Sequence, residues 1–242
     1  MRRLIFSEGE YYHLYNRGVD KRIVFSKPDE YRRFKAYLYL LNTVESIRPA
    51  DILETHYGDS IFSVKRDTPL VALGAYCLMP NHAHLFATPL VDGGISKYMH
   101  RVQTAYTMFF NKRHERSGAL FQGTFKAEHV DNDVYAKYLF SYIHLNPAKL
   151  IEPSWKEFGV RDFRKMRKFI REYPYSSLGE YLSRKHVITT PSKFPDYFSE
   201  TRELDDHIDF WLHYREAKPH GKPHGMRKMV WIDNDILTKL HT

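Results

Sequence analysis

Aromatic residues crowd Glu10–Arg17 (EYYHLYNR), a run that predicts a first β-strand, and Gly18-Val19-Asp20 breaks it. From Lys27 to Glu45 the period changes. Phe34, Leu38, Leu41 and Val44 recur at three- and four-residue spacing, with Pro28 near the start and Asp29 and Glu30 in the first turn. That pattern predicts an amphipathic helix over 27–45. Residues 48–68 lose the period and are expected to form a polar, irregular insertion. Leu70–Leu78 is an apolar run of strand length, Met79-Pro80-Asn81 a turn, and His82–Thr88 (HAHLFAT) a second strand. The two are expected to pair as an antiparallel hairpin. Ser96 can cap a helix over 97–114, and Phe125–Val130 predicts a further strand. Asp131 or Asn132 can cap the next helix, which Pro147 ends near Asn146. Helices interspersed with mostly antiparallel strands predict an α+β sandwich, a central antiparallel sheet flanked by helices.

Beyond Ile151 the pattern weakens. Arg161–Glu172 carries six basic and two acidic side chains. Arg215–Lys228 carries five basic and one acidic, spaced by Pro219, Gly221, Pro223 and Gly225, and reads as a flexible basic linker. A short terminal helix or tail is expected after it.

Composition narrows the class. A chain of 242 residues with 43% hydrophobic and 27% charged residues is long enough for one large domain with its own core. The single cysteine, Cys77, excludes an internal disulfide and a cysteine-rich zinc site, and it fits a reducing cytoplasm. No apolar run approaches the roughly 18 residues of a membrane span, and the N-terminus lacks a signal-peptide pattern. The net charge is +8, and eighteen residues are tyrosine. Such a basic, tyrosine-rich surface suits a polyanion whose bases can stack. Charge alone leaves a basic protein with no nucleic-acid role equally open.

Two spacings carry chemistry. On a strand, His82 and His84 share one face, so their imidazoles can converge on one divalent ion while Ala83 turns into the core. On a helix, Tyr142 and Asn146 share one face, where a phenolic oxygen can act as nucleophile and an amide oxygen as ligand. Each pattern alone is more often simple packing: Tyr135, Tyr138 and Tyr142 also follow a helical stripe.

Together these residues resemble a known family. Met79-Pro80-Asn81-His82-Ala83-His84-Leu85 resembles the HUH motif of single-tyrosine transposases, two histidines around one apolar residue. Tyr142-Ile143-His144-Leu145-Asn146-Pro147 is similar to that family's tyrosine helix, especially in its REP-associated (RAYT-like) branch. Gly118–Gly123 (GALFQG) and Tyr175–Leu178 (YSSL) resemble further segments of that branch. The matches run in order from Tyr11 to about Tyr181. The resemblance thus divides the chain into a catalytic domain, 1–185, and a C-terminal basic extension, 186–242. Thr124 departs from the family, standing after Gly123 where relatives usually carry arginine.

The resemblance implies an HUH endonuclease fold, a ferredoxin-like sandwich, and a Mg2+- or Mn2+-dependent enzyme that nicks and rejoins single-stranded DNA. His82 and His84 match the metal-binding histidines, Asn146 the third ligand, and Tyr142 the nucleophile. The implied partner is single-stranded DNA, folded into hairpins or derived from repeats, with no membrane partner and a monomeric or homodimeric protein. Tyr11, Tyr15 and Arg17, on one face of the first strand, are candidates to stack on and clamp unpaired bases. Lys97, Arg101, Lys112, Arg113, Arg116 and Lys126 are candidates for phosphate contacts. The rivals are a DNA-binding protein of the same fold that does not cleave, a relaxase-type nickase, and a metal-dependent hydrolase that uses water and leaves no covalent adduct.

Overall fold

Strands β1 (Tyr11–Arg17), β2 (Val71–Met79), β3 (His82–Pro89) and β4 (Lys126–Val130) form one antiparallel sheet in the order β2-β3-β1-β4. The computed structural model describes residues 4–196 and 201–213. The basic stretch Arg215–Lys228 and the terminal segment expected after it lie outside the described residues. The helices are α1 (Pro28–Leu40), α2 (Pro49–Thr55), α3 (Gly94–Arg113), α4 (Asp133–Leu145), α5 (Trp155–Phe158), α6 (Phe163–Glu172), α7 (Leu178–Ser183) and α8 (Thr201–His213). The α+β sandwich with a central antiparallel sheet is as the sequence predicts. No described helix is long and apolar enough to cross a membrane.

The pleat sends alternate side chains into two cores. Tyr12, Leu14, Leu73, Tyr76, Leu78, Ala83 and Leu85 pack with Phe34 and Leu38 of α1 and with Tyr98, Val102 and Tyr106 of α3. Ala75, Cys77, Met79, Phe86 and Val130 pack on the other face with Leu139 and Ile143 of α4, Met166 and Ile170 of α6, and Leu204, Ile208 and Leu212 of α8. Both faces are covered, so β2 and β3 are buried at every position.

Several boundaries differ from the pattern-based expectation. α1 ends at Leu40, not Glu45, because Asn42 leaves the helix to serve the sheet. Its buried amide accepts from the backbone N–H groups of Leu70 and Val71, both at 3.0 Å, and donates to the Val71 carbonyl at 2.9 Å. α3 starts at Gly94, ahead of Ser96. Gly93 takes a φ of 65°, and a Cβ on Gly94 would sit 2.3 Å from the Leu70 carbonyl oxygen, so only glycine fits this entry. The 48–68 segment is not irregular: it folds into α2 and a 3-10 turn over Gly58–Ser63 whose Ile52, Leu53, Ile61 and Phe62 pack on the core.

The chain does not leave the core at residue 185. Ile188 joins the first core, the Thr190 N–H bonds to the Leu73 carbonyl, and Phe194 packs on Phe86 and Tyr11. The basic run of α6 is partly neutralised by α8: Arg167 pairs with Asp209 at 2.8 Å and Arg171 with Asp205.

Glu30 ties the start of α1 to the end of α3. Its buried carboxylate accepts from Ser26 N–H (2.6 Å), Ser26 Oγ (2.9 Å), Lys27 N–H (3.0 Å) and His114 Nε2 (2.7 Å). Burial pushes its pKa up, but the bonds from Ser26, His114 and Lys27 outweigh burial and hold it below the ordinary carboxylate value. A depressed folded pKa contributes stability that is present above the unfolded value of about 4.3 and lost as pH falls through the folded value. Glu30→Ala is therefore expected to cost about 3 kcal/mol at pH 7. Urea denaturation should find the gap to wild type narrowing in acid. An equal gap at pH 7 and pH 3.5 would contradict this account.

Candidate active site

β3 carries His82, His84 and Phe86 on the sheet face beneath α4. In register, Arg17 lies opposite His82, Tyr15 opposite His84 and His13 opposite Phe86, so all six share this face. The two histidine rings are fully buried, with centroids 4.7 Å apart and planes near perpendicular at 86°. His82 Nδ1 lies 2.6 Å from Asn81 Oδ1, and His84 Nδ1 lies 2.9 Å from His13 Nε2. The turn before them is pinned through backbone. Val24 and Phe25 N–H groups bond to the Pro80 carbonyl, and Gly18 N–H bonds to the Asn81 carbonyl.

α4 brings the tyrosine across. Asn132 caps it, its side chain accepting from Tyr135 N–H at 2.8 Å. Tyr142 is 6% exposed, and its ring meets that of His84 edge-on, 5.4 Å between centroids. Lys156 Nζ, on α5, lies 5.0 Å from the Tyr142 ring centroid. Asn146 follows the last turn of α4 and donates from Nδ2 to the Tyr142 carbonyl at 3.1 Å. That bond fixes the amide, and its Oδ1 is buried with no hydrogen-bond partner among the described residues. A buried acceptor in this condition is costly unless something binds it.

The residues whose chemistry could suit a divalent cation here are His82 and His84, through imidazole nitrogen, and Asn146, through its buried amide oxygen. Among the described residues no group of three or more His, Cys, Asp or Glu could hold a metal, so the set depends on Asn146. As metal ligands, imidazole and carboxamide are both uncharged. Imidazole favours ions softer than magnesium, so Mn2+ is expected to bind more tightly than Mg2+. Calorimetric titration of each ion checks this, and equal or reversed affinity contradicts the donor assignment.

The other tyrosines nearby are differently placed. Tyr15 is buried, its ring 4.9 Å from His13, and its hydroxyl donates to Glu128 at 2.9 Å. Tyr135 donates to the other Glu128 oxygen at 3.2 Å. Burial first, then the Glu128 charge, pushes the pKa of both phenols up. Neither is suited to attack. Tyr15 therefore lies inside the histidine cluster and not on an exposed stacking platform.

The remaining sequence candidates fall in two places. Arg17 and the exposed Lys126, opposite Tyr15 on β4, lie on the histidine side of the sheet. Tyr11 packs against Phe86 and Phe194. Lys97, Arg101, Lys112 and Arg113 sit on α3, which covers the opposite face. There Lys97 bonds to the Val44 carbonyl, Arg101 to those of Thr43 and Glu45, and Arg113 pairs with Asp29 at 2.8 Å. Arg116 bonds to the Asn111 side chain and the Ala119 carbonyl. Sequence reasoning passed over His13, Asn81, Glu128 and Lys156. The strand alternation that grouped Tyr11, Tyr15 and Arg17 also holds His13, whereas Glu128 and Lys156 reach the site only through tertiary packing.

The family model described as transposase IS200 like matches residues 51–146, the span that holds both histidines, Tyr142 and Asn146. Over that span the chain is similar to IS200-like transposases, in keeping with the resemblance read from its motifs. The chain is also similar to a solved structure of a REP-associated tyrosine transposase bound to a REP hairpin. The identity is 13%, over 83% of this chain and 94% of that chain, with a TM-score of 0.46. No curated protein matches it.

Proposed function

We propose that this protein cleaves and rejoins single-stranded DNA through a covalent 5′-phosphotyrosine on Tyr142. The observation that supports this best is the Tyr142 ring set against His84, with Asn146 bonded to the Tyr142 carbonyl one turn on, inside the segment the transposase family matches. Tyr142 Oη attacks the scissile phosphorus and loses its proton. The bond from phosphorus to the 3′ oxygen breaks, and that oxygen leaves as a 3′-hydroxyl, taking up a proton. Lys156 places a positive charge beside the ring that carries negative charge during attack. His82, His84 and Asn146 would hold a magnesium or manganese ion, which when bound would supply Lewis-acid polarisation of the phosphate and offset the charge building on its oxygens. The covalent link conserves the phosphodiester bond. A 3′-hydroxyl from another strand can attack it, release Tyr142 and restore DNA without ATP. Arg17 and the exposed Lys126, on the same side of the sheet, are candidates to meet the strand.

Labelled single-stranded hairpin oligonucleotides incubated with Mn2+ test this on denaturing gels. The expected products are a free fragment ending in a 3′-hydroxyl and a protein-linked fragment. A second strand bearing a 3′-hydroxyl should then consume the adduct. Cleavage that leaves a free 5′-phosphate and no protein-linked DNA would make the protein a hydrolase. Binding without cleavage in either ion would make it a DNA-binding relative.

A further inference from the structure

Each metal-facing histidine is held from behind by a buried group outside the donor set. Asn81 Oδ1 holds His82 Nδ1 at 2.6 Å, and His13 Nε2 holds His84 Nδ1 at 2.9 Å. A neutral histidine that ligates through Nε2 carries its proton on Nδ1, and that N–H then needs an acceptor. We propose that Asn81 and His13 are positioning residues that supply these two acceptors, fixing the tautomer and ring orientation that present both Nε2 atoms to one cation.

Both acceptors are themselves fixed. The Asn81 carbonyl takes the Gly18 N–H at 2.9 Å, which anchors the turn. His13 sits on β1, paired on both sides by β3 and β4, with its ring nearly coplanar with that of His84 and edge-on to Tyr142. As acceptor at Nε2, His13 carries its own proton on Nδ1. The inference rests on the metal-site reading of His82 and His84, and removal of such supports weakens metal affinity by about 10–100-fold.

Mn2+ titrated calorimetrically into the full-length protein tests it, with melting temperatures measured without metal. His13→Leu is expected to weaken Mn2+ binding about 10–100-fold, and His13→Gln, which keeps an acceptor oxygen, to recover most of it. Asn81→Asp offers a stronger, charged acceptor and should bind Mn2+ more tightly than wild type. A merely structural role would lower the melting temperature without this opposite pair of effects. If wild type and His84→Ala bind Mn2+ alike, the metal site itself is wrong. If His84→Ala loses binding while His13→Leu and Asn81→Asp match wild type, the positioning role is overturned and the metal site stands. Should His13→Leu not fold, Asn81→Asp decides: affinity at or below wild type overturns the proposal.

Discussion

Tyr142→Phe is expected to bind single-stranded DNA as wild type does and to lose the covalent species by about 10³-fold or more. The substitution removes one oxygen and keeps the ring. Its contacts with His84, with Tyr138 at 6.1 Å and with Lys156 depend on the ring and survive. Gel retardation and adduct yield, measured on the same preparation, separate binding from chemistry. Adduct at wild-type yield would move the nucleophile elsewhere. Tyr135 is a poor alternative because its hydroxyl is committed to Glu128 and its pKa is pushed up by burial.

The second large effect is expected at His84. His84→Ala should abolish cleavage in either ion, because it removes a nitrogen donor from the proposed set of three. From sequence, alanine there would leave the fold intact, as on a strand surface. The structure corrects that: His84 is fully buried and bonded to His13, so alanine leaves a cavity and a buried nitrogen without this partner. A loss of about 1–3 kcal/mol of stability is expected alongside the loss of cleavage. Cleavage should therefore be compared well below the variant's melting temperature. Full activity of the folded variant would remove His84 from the chemistry.

The hairpin of β2 and β3 was legible because an apolar run, a Pro-Asn turn and a second run leave little else for the chain to do. The pairing of His82 with His84 and of Tyr142 with Asn146 followed from periods of two and of three to four. What periodicity could not reveal was set by single side chains acting at long range. Asn42 ends α1 by bonding to backbone on β2, an event its own helical period does not encode. Ile52, Leu53, Ile61 and Phe62 are too sparse for a visible stripe, yet they dock α2 and the turn after it. α6 reads as a charge run until Asp162 is found capping it, its Met166 and Ile170 are found buried, and Asp205 and Asp209 on α8 are found facing its arginines. Lys97 and Arg101 looked like DNA contacts by charge, but they clamp the chain leaving α1 on the face away from the histidines.

The central claim is that Tyr142 itself becomes joined to DNA. Digestion of the trapped adduct with nuclease and trypsin, followed by fragmentation mass spectrometry, tests it most directly. Trypsin releases residues 138–149 as one peptide that holds both Tyr138 and Tyr142. The account predicts a nucleotide mass on this peptide, localised by fragment ions to Tyr142 and absent in Tyr142→Phe. A nucleotide mass localised to Tyr138 or Tyr135, or DNA cleaved at wild-type rate with no modified peptide, would contradict it.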